Sequence, residues 1–232
     1  MVEASLARDL AHAAREMAEQ PDLQATLDTI ANQAVVAVGA DACGIFLLRR
    51  GTVHAVALST PELRAAEQAQ IDADEGPCLD TLRHTRTVHV PDLRTERRWP
   101  HWAPEMVGLG WLSLLSVPLA ERGRTVGTLN LVGRAAGGFA GPAVQAAHLF
   151  AEHASVALTA ARTEHSLTEA VGSRHVIGIA QGIVMERYGV DVDEAFAVMR
   201  RCSQAGNLKL RSVAEHVAQH RRLPDPEGDA VG

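Results

Sequence analysis

The sequence predicts an α+β protein, an antiparallel sheet with flanking helices, joined by a long helix to a small carboxy-terminal three-helix bundle. Three observations carry that prediction. Runs of β-forming residues between positions 43 and 132 fall in pairs separated by short glycine-bearing turns, as hairpins do. From Gly141-Pro142 onward the apolar spacing turns helical, and no proline follows until Pro224. Near the carboxy-terminal end the charge changes sign. Residues 1–173 hold 14 arginines against 20 acids, whereas residues 174–222 hold eight basic residues against five acids.

Residues 5–20 and 23–38 read as helices. The second opens with Asp22 after Pro21, carries Leu23, Leu27, Ile30, Ala34 and Val38 on one stripe, and stops at Gly39. Cys43 to Leu48 and Val53 to Leu58 form a hairpin around Arg50-Gly51. Pro61 to Gln70 is a short helix, and the turn at Asp74-Glu75-Gly76 delivers Pro77 to the first position of another, where its missing N–H costs nothing. Thr87 to Val90 is a strand, and Asp92 to Pro104 a charged, tryptophan-bearing loop with a helical turn. Leu112 to Leu119 and Thr125 to Val132 form a second hairpin around Gly123.

The long segment from Pro142 to about Tyr188 scatters apolar contacts along its length, and Gly172 and Gly178 weaken it by roughly 1 kcal/mol each, which invites a bend or break. A helix of this length usually buries its stripe against a partner, so a homodimer joined as a coiled coil is expected. After it, Asp191 and Glu194 form a capping box. Val192, Ala195, Phe196, Met199 and Cys202 follow at helical spacing toward a small core. Gly206 ends that helix in a left-handed turn, Asn207 caps the next, and Leu210, Val213, Ala214 and Val217 form the buried stripe of the last.

Composition excludes several classes. With 232 residues the chain suits one large or two smaller domains, and its 47% hydrophobic and 22% charged residues predict a packed core. The longest strongly apolar runs reach only about ten residues, half of what a membrane helix needs. The amino-terminal end has no apolar signal core, so a cytoplasmic location and no membrane partner are expected. Cys43, Cys78 and Cys202 are widely spaced and lack a CxxC pair, as reduced thiols would be. Lys209 is the sole lysine, which excludes P-loop, receiver and kinase chemistry in the first 208 residues. No catalytic residue or metal site is expected, and no motif specifies a cofactor.

Ala180-Gln181-Gly182-Ile183-Val184-Met185-Glu186-Arg187-Tyr188, then Asp193-Glu194-Ala195-Phe196, then Asn207-Leu208-Lys209-Leu210-Arg211-Ser212-Val213-Ala214 resemble an ANTAR module, the RNA-binding output of transcription antitermination regulators. Upstream, Gly76-Pro77-Cys78-Leu79-Asp80, Val90-Pro91-Asp92-Leu93, Arg98-Trp99-Pro100, Ser116-Val117-Pro118-Leu119 and Gly127-Thr128-Leu129-Asn130-Leu131 resemble the GAF domains that precede ANTAR modules in actinobacteria. The resemblance implies a sensory domain over residues 1–162, an RNA-binding domain over 163–223 and a disordered tail over 224–232. It further implies a regulator that binds stem-loops in a nascent transcript.

The RNA-facing residues expected on this reading are Gln181, Arg187, Arg201, Ser203, Asn207, Lys209 and Arg211, with Arg200 beside them. They combine guanidinium forks for phosphates with amides and hydroxyls for unpaired base edges. Basic helix ends also complement the helix dipole, so charge alone leaves both readings open. Phe196 is assigned to the apolar stripe and Tyr188 to packing. In the sensor half Cys78, Trp99 and Trp111 are candidates for a small-molecule ligand pocket; core packing accounts for the tryptophans equally well, and a small apolar filler near a turn is the favoured reading of Cys78. Two other functions stay in view: a DNA-binding helix-turn-helix in the last two helices, and a GAF-type redox enzyme using Cys43 and Cys78.

Overall fold

The computed structural model describes residues 2–224, apart from the side chains of residues 2–9 and Glu67. Between Thr163 and Glu164 the chain divides into two compact units.

The first unit is built on a five-stranded antiparallel sheet of order β2-β1-β5-β4-β3, from β1 (Ala42–Arg49), β2 (Thr52–Leu58), β3 (Val88–Val90), β4 (Ser113–Glu121) and β5 (Arg124–Gly133). Successive side chains on a strand point to opposite faces, and here both faces are covered. Cys43, Ile45, Leu47, Leu115, Val117, Leu119, Leu129 and Leu131 form one core with α1 (Val2–Ala18), α2 (Leu23–Val38) and the start of α6 (Gly141–Tyr188). Ala42, Val88, Val90, Leu114 and Val132 lie on the other face, packed with Trp99, Trp102, Met106 and Trp111. Burial on both sides explains why β1, β4 and β5 read as near-continuous apolar runs.

Over this second face lie α3 (Leu63–Asp72), α4 (Pro77–His84) and α5 (Trp102–Gly108). The helix expected over 61–70 is shifted two residues later. Gly76 adopts φ 134°, closed to other residues, and a Cβ there would stand 2.4 Å from the Gln70 side chain. Pro77 then begins α4 as expected. The loop expected over 92–104 holds two elements, a single 3₁₀ turn at Leu93–Thr95 and α5. Glu75 organises α5 from a distance: its carboxylate accepts from the backbone N–H of His101 at 2.6 Å and of Trp102 at 2.7 Å.

The second unit comprises the residues of α6 from 164 onward, α7 (Val192–Ala205) and α8 (Leu210–His220). The helix continues through Gly172 and Gly178, where a bend or break was expected. Ala180, Val184, Ala195, Met199, Val213, Ala214 and Val217 close a small core. The capping box of α7 is present, with the Asp191 side chain accepting from Glu194 N–H at 2.8 Å. The α7–α8 turn differs from expectation: Gly206 has φ −87°, Asn207 carries the left-handed conformation at φ 48°, and Lys209 is the residue that starts α8, without a side-chain cap. Asparagine tolerates that conformation better than most residues, which frees Gly206 from the task. Of the tail expected from 224, Pro224 is buried and its carbonyl accepts from the Cys202 thiol, so it belongs to the packed unit; the remainder lies outside the described residues.

Candidate nucleic-acid interface

The second unit sorts its polar residues into two groups. One group is spent on the bundle itself. The Gln181 amide donates to the Val192 carbonyl at 3.2 Å, tying α6 to the first turn of α7. Ser203 donates to the Leu208 carbonyl at 2.7 Å and shapes the α7–α8 turn. Arg187 donates to the Arg221 carbonyl at the end of α8 at 2.8 Å. Arg211 lies between Glu215 at 2.8 Å and Glu169 at 3.4 Å, and the hydrogen bond to Glu215 holds its guanidinium pKa above the ordinary value.

The other group remains available to solvent. Arg200, Arg201, Asn207 and Lys209 are exposed, and among the described residues no carboxylate pairs with any of the three cations. Asn207 and Lys209 flank the α7–α8 turn, and the arginines lie on α7 one to two turns before it. Uncompensated cations next to a free amide are what a phosphate backbone with accessible base edges selects.

The apolar side of the unit departs from the sequence reading. Ala195 and Met199 are fully buried, whereas Val192 is 51% exposed and Phe196 38%. A helix turns 100° per residue, so the 195–199–202 line faces the core and Phe196 is rotated away from it. Tyr188, expected to pack, is 50% exposed. Nothing in residue type distinguished these from core; for Phe196 the distinguishing feature is its position one step past Ala195.

In the first unit the sheet face beneath α4 is polar at its centre. Ser116 donates to Asn130 at 2.6 Å and Thr128 to the Cys78 sulfur at 3.2 Å, while Cys78 N–H donates to Gln70 at 2.8 Å. Asn130 Nδ2 and Thr81 Oγ1 are buried without a partner among the described residues. Trp99 and Trp111, with Trp102, are almost fully buried; Trp99 donates to Asp80 at 3.2 Å and Trp102 to the Ala66 carbonyl at 2.9 Å. A separate groove of about 380 Å³ opens between the β1–β2 hairpin and the α3–α4 segment, lined by Leu48, Val53, Ile71, Leu79 and Leu82 with the paired Asp74 and Arg83.

Comparison with known families now decides the assignment. Residues 20–159 match the GAF domain model and residues 165–217 the ANTAR domain model. The chain belongs to the GAF domain family and carries an ANTAR domain after it. Among curated proteins none matches significantly in sequence. Solved structures support the GAF fold. The GAF domain of a phosphoenolpyruvate-protein phosphotransferase from Coxiella burnetii has a TM-score of 0.58 at 20% identity, covering 69% of this chain and 96% of its own. Free methionine-R-sulfoxide reductase from Neisseria meningitidis has a TM-score of 0.54 at 18% identity over 69% of this chain and 92% of its own. The phytochrome photosensory core of Stigmatella aurantiaca has a TM-score of 0.58 at 14% identity over 90% of this chain and 46% of its own.

The GAF domain therefore supplies the sheet and its two cores, and the ANTAR domain the trihelical unit with its exposed cations. Both domains are regulatory in type, and no described helix is long and apolar enough to cross a membrane.

Proposed function

We propose that this chain is a signal-responsive transcription antitermination regulator whose ANTAR domain binds stem-loops in nascent RNA under the control of the GAF domain. The observation that carries the reading is the set of exposed cations Arg200, Arg201 and Lys209, without an ion pair among the described residues, around a turn bearing Asn207, in the unit that matches the ANTAR model. Within the candidate set, Arg201, Asn207 and Lys209 contact the transcript. Gln181, Arg187, Ser203 and Arg211 hold the surface in shape while offering their remaining polar valences to it.

The regulator acts as a homodimer. Leu149, Val156, Leu167 and Val171 of α6 are 42–71% exposed, an expensive arrangement unless a second copy covers them. Two linked ANTAR domains then hold two hairpins at high effective concentration. A small molecule is sensed by the GAF domain, and the groove beside the β1–β2 hairpin has a volume suited to one.

The geometry weighs against the two other functions. As a DNA-recognition helix, α8 buries Val213, Ala214 and Val217 and engages Arg211 with Glu215, which leaves few base-reading side chains. As a redox pair, Cys43 and Cys78 are separated by the sheet: Cys43 packs in the core with α2, whereas Cys78 bonds Thr128 on the opposite face. A disulfide requires Cα atoms within about 7 Å with converging side chains. Crosslinking in cells tests the proposal. Recovery of transcripts with a recurring pair of hairpins is the expected result, and recovery of genomic duplex alone would overturn it.

A further inference from the structure

The exposed flank of α7 carries an aromatic ring that lies outside the buried core of the bundle. Phe196 is 38% exposed and Val192, one turn before it, 51%. One turn after it stands Arg200, exposed and without an ion pair among the described residues. Residues four apart on a helix are neighbours, so the ring sits between an apolar shoulder and a free guanidinium. Asp191 caps the helix and closes the capping box with Glu194, and Asp193, three residues before Phe196, borders the ring on the side of the helix start; the cation borders it on the side of the α7–α8 turn, with Asn207 and Lys209.

A flat apolar face bordered on one side by positive charge complements a nucleobase whose phosphate lies on that side. A second protein copy would be served by the ring and Val192 alone and would leave Arg200 uncompensated. We infer that Phe196 is a stacking platform for one unpaired base of the bound hairpin loop, with Val192 supporting the base edge and Arg200 holding its phosphate. The inference rests on the RNA-binding function proposed above and adds a base contact to it.

The test uses the full chain and a tandem stem-loop selected from a randomised-loop RNA pool. Phe196→Leu is expected to weaken binding about 5- to 150-fold, the range corresponding to 1–3 kcal/mol of base–aromatic stacking, while Phe196→Trp retains it. Replacing successive loop nucleotides by abasic sites in complexes with the unaltered chain should reveal one position that costs a similar factor. On that abasic RNA, Phe196→Leu should cost nothing more, because the two changes remove one contact. The abasic series also reads the contact without altering the protein, should the leucine variant fold poorly.

Unchanged affinity in Phe196→Leu with every abasic position tolerated would overturn the stacking assignment and leave RNA binding intact. Unchanged affinity with a shifted monomer–dimer equilibrium in sedimentation would instead assign the ring to a second copy, and equally overturn it. If the selection yields no RNA that the unaltered chain binds, the antitermination function falls together with this inference.

Discussion

Lys209 and Arg211, two positions apart, illustrate how a side chain's partners decide what it can give a ligand. Lys209 is exposed and among the described residues pairs with no acid, whereas Arg211 must release Glu215 and Glu169 before it can neutralise a phosphate. Lys209→Gln is therefore expected to weaken stem-loop binding uniformly across sequences and to reduce the salt slope by about one, with Arg211→Gln having the smaller effect; anisotropy titrations at several salt concentrations measure both. Lys209 was legible as an exposed cation in the sequence because it falls in a motif and is the sole lysine. Phe196 was not, since a phenylalanine next to the buried Ala195 looks like core until the helix rotation is fixed. For Trp99 and Trp111 the sequence left pocket and core equally open, and for Cys78 it favoured a small core filler; the structure places all three under cover, at 1–2% exposure.

At the scale of elements, local signals predicted local structure. The capping box that starts α7 was readable from Asp191 and Glu194, and Asp191→Ala is expected to cost about 1 kcal/mol of stability in thermal melts. The core behind it is small, so Met199→Ala should cost roughly 2–5 kcal/mol and release the ANTAR unit first. Helix α5 was legible only as a helical turn within a loop, because the group that organises its start is Glu75, 26 residues before His101. Burial pushes the Glu75 carboxyl up, but the backbone amides of Trp102 and His101 outweigh that and hold it below its ordinary value of 4.5. Glu96 is lowered by the Arg98 guanidinium and Asp92, ordinarily 3.8, by Arg94. A lowered folded-state pKa stabilises the fold above the ordinary value and ceases to do so as pH falls through the folded one. The GAF unit is accordingly expected to lose stability below about pH 4, with Glu75→Gln showing a shallower acid limb in melts recorded across pH.

At the scale of the whole molecule, the two-unit organisation was visible from the change of charge and of apolar period, while the left-handed Asn207 and the exposed aromatic flank needed the packed bundle to emerge. The dimer proposal makes a sharp prediction. Placing glutamates at Leu167 and Val171 should convert the chain to monomers in sedimentation equilibrium. It should also cut affinity for paired hairpins by about 10²- to 10⁴-fold while leaving a single hairpin nearly unaffected. The central claim is that the ANTAR unit recognises folded RNA, and binding of the full chain to tandem stem-loop RNA and to duplex DNA of equal length, titrated against salt, tests it most directly. The account predicts tighter binding to the RNA at every salt concentration, with a slope that falls in Lys209→Gln. Equal or tighter binding to the duplex would contradict it.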